Sequence, residues 1–426
     1  MRFRKKNAKG IKKRKIFFII AEKRPPSSFG GRFSSYLGNM KRFEENTCLC
    51  TLNRIFGFDP KTAHALLARV GDAGELFRMS RESIDGLLGP YSRHRGLITL
   101  KAYEDTEREL EELDRKGIRF SGYNTADYPE LLKECSDSPL GLYIRGTGTY
   151  GDIFGKKRSI AVIGTRDLSS YGREWCGRIM TGIASSGEKP LIVSGLALGT
   201  DICAHLAALD AGLPTIAVMA TGPDSVYPYR HREFAERIAQ TPGCALITDY
   251  PPGTAPLPIH FLRRNRIIAG MSEAVVLIES RLKGGGMMTS RLAFSYDRDV
   301  YALPGRIDDP RSQGCNMLIK EKMAEPIVSA ENLAESLGLG IVRKSRQKSD
   351  REMLSERFGD HADETEIFQM EKIISVIRKN RDIFLDELGD MMQMDQAAVI
   401  SLTGLLEMEG FIHIDMLRRC SICSKR

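Results

Sequence analysis

From residue 158 to about residue 330 the chain repeats one pattern, and that pattern leaves few folds open. Six short apolar runs, "SIAVIG", "PLIVSG", "TIAVMA", "CALITDY", "AVVLIES" and "DVYALPG", alternate with stretches of helical spacing. A strand that faces water on one side reads as an alternation of apolar and polar residues, whereas these runs are apolar nearly throughout. Runs of that kind, each followed by a helix, imply a parallel sheet covered on both faces. In such a sheet ligands bind beyond the carboxyl ends of the strands, so the loops after the six runs are the first place to look for chemistry.

The unusual residues fall in those loops. After Ile163 come Gly164, Thr165 and Arg166; after Val193 comes "SGLALGTD", with Ser194, Gly195 and Gly199; after Ile278 comes "ESRLKGGGMMTS", with Lys283, Gly284, Gly285 and Gly286. Glycine lets a backbone approach a ligand closely, and a helix N-terminus offers free N–H groups to an anion. The competing account is that glycine only permits tight strand-to-helix turns. The loops "TGPDSVYPYRHR" and "YPPGTAPLPIHFLRRNR" add Arg230, Arg232, Arg263, Arg264 and Arg266, interleaved with Tyr227, Tyr229, Tyr250 and Phe261. Cations for phosphates beside aromatic faces for bases suit single-stranded nucleic acid, with Tyr227, Tyr229 and Phe261 as candidate base-stacking residues. "RRNRIIAG" opens a helix, so one or two of its three arginines are expected to face the ligand.

Several enzyme classes lack their motifs. There is no Gly-x-x-x-x-Gly-Lys-Ser/Thr and no Gly-x-Ser-x-Gly, and the turn after Ile163 lacks Gly-x-Gly-x-x-Gly, which disfavours a P-loop NTPase, an elbow hydrolase and a dinucleotide fingerprint at that turn. No nucleophile–base pair or carboxylate cluster for a metal is evident, and no cofactor is expected. His205 reads as a packed helix residue and Asp201 as a helix N-cap.

Around this centre the chain divides into 1–39, a basic disordered head; 40–115, a small helical module of helix-hairpin-helix or SAM-like type; 116–335, the α/β core; 336–364, a polar linker; 365–418, a winged helix; and 419–426, a tail. The net charge of +8 is misplaced: residues 1–39 alone carry +11, so the rest of the chain sums to −3. The head is read as an upstream extension of a protein that starts at Met40, the competing reading being a disordered DNA-binding arm. A polyanion bound by the body must therefore meet a local patch. The nine scattered cysteines fit a reducing cytoplasm, and no apolar stretch is long enough for a membrane span.

These residues together resemble the DNA-processing protein A (DprA, also called Smf) family. The resemblance runs from about 120 to 330 through "AVIGTRDLSSYG", "IVSGLALGTDICAH", "TIAVMATGPDSVYP", "YPPGTAPLPIHFLRRNRIIAGMS" and "GGGMMTSRLAFSYDRDVYALPG". It implies an extended Rossmann-like core that binds single-stranded DNA without hydrolysing it, acts as a homodimer, and loads the RecA recombinase in natural transformation. By position Arg166 matches the family's phosphate-contacting arginine, and Arg230 and Arg232 are candidates for a basic contact. Thr165 replaces the usual Ser, Leu198 stands where many relatives carry a basic residue, and "GGGMM" replaces a Ser-Gly-Ser-type loop. Two other readings compete. A nucleoside-monophosphate phosphoribohydrolase would need a proline before the glycine loop and a Glu after it, and both are missing. A winged-helix DNA reader on a Rossmann scaffold would need a basic recognition helix, whereas "DQAAVISLTGLLEMEG" has no Lys or Arg.

Overall fold

The computed structural model describes residues 43–155, 158–340, 349–359, 362–380, 383–415 and 417–423. The basic head, and with it the expected start at Met40, lies outside the described residues.

Five helices come first: α1 (Glu45–Phe56), α2 (Pro60–Val70), α3 (Ala73–Arg78), α4 (Arg81–Leu88) and α5 (Leu100–Arg115). Side chains of Asp59, Asp72, Ser80 and Thr99 cap α2 to α5 by accepting first-turn N–H groups. An antiparallel pair follows, β1 (Ile118–Gly122) and β2 (Gly141–Arg145), connected through α6 (Glu130–Lys133). Phe120 and Tyr143 of this pair share a core with Leu49, Leu52 and Phe56 of α1, so the helical module and the sheet's edge fold on one another.

After α7 (Tyr150–Ile153) the six apolar runs become β3 (Ser159–Ile163), β4 (Leu191–Ser194), β5 (Thr215–Val218), β6 (Ala245–Thr248), β7 (Ala274–Leu277) and β8 (Asp299–Ala302). The helices between and after them are α8 (Ser170–Ala184), α9 (Thr200–Asp210), α10 (Arg232–Gln240), α11 (Pro258–Gly270), α12 (Gly285–Ser295) and α13 (Gln313–Lys320), ahead of β9 (Glu325–Pro326) and α14 (Ala330–Ser336). The strands lie in the order β1-β2-β6-β5-β4-β3-β7-β8-β9, parallel from β6 to β9. Alternate residues of each strand enter opposite layers. Ala161 and Ile163 meet Ile267 of α11 and Leu318 of α13, while Ile160 and Val162 meet Ile179 of α8 and Ala204 of α9. Both faces are covered, which is why these strands are apolar along their whole length.

The last elements are α15 (Asp350–Phe358), α16 (Glu364–Lys379), β10 (Ile383–Phe384), α17 (Leu385–Met392), α18 (Gln396–Met408), β11 (Ile412–Ile414) and β12 (Arg419–Ile422), with the strands ordered β10-β12-β11. Two boundaries read from the sequence are corrected here. The segment expected as a polar linker contains α15, started by a Ser349–Glu352 capping box; its Leu354 and Phe358, one turn apart, are buried with Ile373 and Leu402. The segment expected as a tail holds the central strand of the small sheet, with Cys420 fully buried and its thiol pushed up to about 11 by burial.

Candidate functional site

The chain lays down β3, β4, β5 and β6 outward in one direction, then α11 carries it back to place β7 on the other side of β3. The order therefore reverses between β3 and β7, and the loops leaving those two strands must diverge there to opposite faces. Ile163 is registered with Leu277, and the Ile278 N–H donates to the Ile163 carbonyl at 3.0 Å. The turn from Gly164 onward and the loop from Glu279 onward start side by side from that point.

The Gly164–Ser169 turn is fixed at both ends. Thr165 Oγ1 accepts the Asp167 N–H at 3.1 Å, and Ser169 caps α8 by accepting the Gly172 N–H at 3.1 Å. Glu279 accepts from the Ser169 N–H at 3.0 Å and from the Ser169 hydroxyl at 2.5 Å. Only 1% of Glu279 is exposed, and burial raises its carboxyl above the usual glutamate range. The N-terminus of α8 thus already faces a carboxylate of the protein itself. Glu279 was not among the sequence candidates, because it reads there as the end of an apolar run. The helix left open is α12. Its N-cap is Gly284, without a side-chain cap, and a Cβ on exposed Gly285 would meet nothing within 4 Å. Gly286 approaches the first turn closely: a Cβ there would lie 3.4 Å from Gly164 Cα.

The loop after β4 supports the turn from behind. The Thr200 N–H and hydroxyl both donate to the Thr165 carbonyl, at 3.0 and 3.2 Å. Gly199 sits at φ +74°, and a Cβ on it would fall 2.6 Å from the Arg166 carbonyl oxygen, so no other residue fits there. Gly199 is also the N-cap of α9, and Asp201 is the second residue of the helix, which corrects the N-cap expected of Asp201. Gly195 is equally committed: a Cβ would lie 2.5 Å from both Arg264 Nη1 and Asp201 Oδ2. Ser194 is buried and donates to the Val162 carbonyl at 2.6 Å. These residues shape the site from within. His205 is fully buried against Thr215 Oγ1 at 2.7 Å, and burial, with Arg264 and His231 adding, pushes its imidazole down to about 3.

The arginines of "RRNR" part company with the sequence reading. Arg264 is 3% exposed and donates to the carbonyls of Gly195 and Val218, beneath the loop. Arg266 is paired with Asp249 at 2.5 Å, both side chains under a tenth exposed, and donates to the Asp137 carbonyl. Arg263 reaches the helical module, donating to the carbonyls of Phe58 at 2.9 Å and Gly57 at 2.5 Å with its guanidinium 4.1 Å from the Phe58 ring. Each of the three directs its terminal guanidinium nitrogens to main-chain oxygens or a buried carboxylate, which ties these side chains into the fold. Tyr250 is buried beside His260 and offers no face to a base.

What the fold does bring together at the mouth is Arg166, Phe261 and Tyr227. Arg166 is exposed and makes no ion pair among the described residues. Its guanidinium lies 5.2 Å from the Phe261 ring, and Phe261 meets Tyr227 edge-on at 5.5 Å. Lys283 is exposed beside the α12 glycines. Two further cations at this rim, Arg281 and Arg311, were not among the candidates; both approach Asp167, at 3.6 and 3.2 Å. Tyr229, Arg230 and Arg232 are exposed further out, along a hollow on α10 that they share with Glu233 and Glu236.

Among the described residues no group of His, Cys, Asp or Glu could hold a metal ion, and no helix is long and apolar enough to cross a membrane. Residues 119–338 match the family described as DNA recombination-mediator protein A. Protein Smf of Synechocystis sp. is 38% identical over 229 residues, which is 54% of this chain and 56% of that protein. DNA processing protein DprA of Bacillus subtilis is 34% identical over 235 residues, 55% of this chain and 76% of that protein. The crystal structure of DNA processing protein A from Streptococcus pneumoniae superposes with a TM-score of 0.59 at 28% identity, over 69% of this chain and 98% of that one.

Proposed function

The chain belongs to the DNA recombination-mediator protein A family, and from that premise we propose that it is a binding protein for single-stranded DNA whose crevice opens between β3 and β7. The observation that carries this reading is the Arg166–Phe261–Tyr227 cluster beside the uncapped start of α12. A backbone phosphate lies between the Arg166 guanidinium and the Gly285 and Gly286 amides, with Lys283 adding charge from the rim. Bases of the same strand turn toward Phe261 and Tyr227. Unpaired bases have open faces to offer, whereas a duplex buries them in its stack, so the aromatic pair favours a single strand. Leu198, in place of a basic residue, leaves Arg166 as the main cation at the centre of the crevice.

The crevice binds and releases; the residues around it that could act as bases are engaged otherwise. Glu279 is held by Ser169, and His205 is sealed between its own helix α9 and Thr215 of β5. In this reading the protein works in the cytoplasm as a homodimer, covers incoming single-stranded DNA and hands it to the RecA recombinase. The small C-terminal unit has the helix and strand order of a winged helix. Its α18 carries no Lys or Arg, which suits a protein contact better than a major groove.

The test is fluorescence anisotropy of a labelled single strand against the full chain and Arg166→Ala. Loss of one phosphate contact lowers affinity at least about tenfold and reduces the salt slope by about 0.7. Equal affinity and an equal slope in the variant would refute the assignment.

A further inference from the structure

The helical module carries a feature the crevice does not use. Between α4 and α5, residues 89–97 form a loop opened by Gly89 at φ +80° and closed by Gly96 at φ +70°. Asp85 pins it: its main-chain carbonyl accepts the Gly89 N–H at 3.1 Å, and its Oδ1 accepts the Gly96 N–H at 3.0 Å. At the tip Tyr91 is 98% exposed. Arg93 and Arg95 follow it on either side of His94, both exposed, and Arg81 and Arg95 line a hollow of about 390 Å³ with Asp85, Gly89 and Pro90. Arg81 and Arg95 stand 3.8 and 3.6 Å from Asp85, too far for a hydrogen bond, and Arg95 Nη1 donates to the Pro90 carbonyl at 3.2 Å.

This loop is joined to the crevice by packed residues. His94, in the middle of the loop, lies against the Phe56 ring at 4.3 Å and 3.6 Å from the Asp59 carboxylate. Between those two residues are Gly57 and Phe58, whose carbonyls accept the Arg263 guanidinium. Arg263 belongs to α11, the helix that supplies Phe261 to the mouth of the site. Phe58 itself is 48% exposed at the seam. Packed residues therefore tie the loop to the helix that carries Phe261, while Tyr91, Arg93 and Arg95 at the loop itself face solvent. Alternating flat rings and cations suits a single strand and is tolerant of its sequence.

We propose that this loop is a second binding site for the same nucleic-acid strand, with Tyr91 stacking a base and Arg93 and Arg95 holding phosphates as the strand leaves the crevice. The proposal rests on the crevice reading above. The test uses the full chain, with Tyr91→Ala and the double variant Arg93→Ala/Arg95→Ala, against oligothymidylates of two lengths. Both variants change only exposed side chains, and unchanged melting temperatures confirm that the fold is intact. The short probe, about six nucleotides, fills the crevice alone, and the long one, about 25, reaches the loop.

Both variants are expected to bind the short probe like the unmodified protein. The long probe should be bound about tenfold more weakly, with a salt slope reduced by about 1.4 in the double variant. Equal affinity for the long probe would overturn the proposal. An equal loss at both lengths would also overturn it, because the loop would then act through the shape of the crevice. Arg166→Ala separates the two readings: it weakens both probes if the crevice is the primary site. If it weakens neither while the loop variants weaken the long probe, the crevice reading fails and the loop remains a site.

Discussion

Replacing Arg266 by Met removes a guanidinium that the sequence offers as a DNA contact and the structure places inside the protein. Arg266 and Asp249 are 8% and 5% exposed, their closest atoms 2.5 Å apart, and Arg266 also donates to the Asp137 carbonyl. The Asp249 carboxylate already has one oxygen, Oδ1, without a partner. Removal of Arg266 strips the other oxygen as well and strands the charge. Breaking a buried pair in this way costs about 3–5 kcal/mol. A domain of this size shifts its melting temperature by about 2–4 °C per kcal/mol, so Arg266→Met melts about 6–20 °C lower. Differential scanning calorimetry reads that shift. The double variant Asp249→Leu/Arg266→Met, with no charge left unpaired, recovers most of it. Single-stranded DNA affinity at 10 °C, where the variant is still folded, stays within about twofold of the unmodified protein, because no phosphate contact is lost. A normal melting temperature together with weakened binding would return Arg266 to the rim and refute the reasoning.

Gly199→Ala forces a side chain into a left-handed backbone against the Arg166 carbonyl; it destabilises by about 1–3 kcal/mol and displaces the Arg166 turn, so thermal melting and anisotropy both report a loss. Glu279 has its carboxyl raised chiefly by burial, with Asp309 adding to the rise and Ser169 and Arg311 opposing it. The folded form therefore holds its proton more tightly than the unfolded chain, and stability is lost as the pH rises from the ordinary glutamate value through the raised one. Glu279→Gln removes that loss, and its melting temperature relative to the unmodified protein is higher at pH 7 than at pH 4.5; a difference independent of pH would contradict this. Leu354→Ala opens a cavity worth about 2–5 kcal/mol in the C-terminal unit, seen as faster hydrogen exchange in Glu364–Lys379 with the large sheet unchanged. If α15 were a free linker, exchange would not alter.

The six central strands could be read because burial on both faces leaves an unbroken apolar run, and the position of the Gly-Thr-Arg turn followed from the strand that ends before it. Two strands outside those runs could not be read. β9, two residues at the edge of the large sheet, and β12, between β10 and β11 in the small one, are too short to show a period, and their pairing is decided by the strands beside them. The helix α15 was hidden by its composition, since two apolar residues one turn apart do not stand out among charges. Positions 263, 264 and 266 share one helix, and all three looked alike as cations. Only the surroundings distinguish them, a module on one side, a loop floor on another and a buried aspartate on the third. Glu279 went unseen for a related reason: its partner, Ser169, lies 110 residues earlier and meets it only across the strand-order reversal.

Arg263 adds a polar clasp to the apolar joint between the helical module and the sheet, and what it grips are uncharged carbonyl oxygens rather than a carboxylate. Added salt competes poorly for a half-buried donor bound to neutral acceptors, whereas it displaces phosphates from exposed cations readily. Ionic strength thus acts on the two kinds of contact separately. By the proposed reading, molar salt removes nucleic acid held at the crevice while the module stays seated on the sheet.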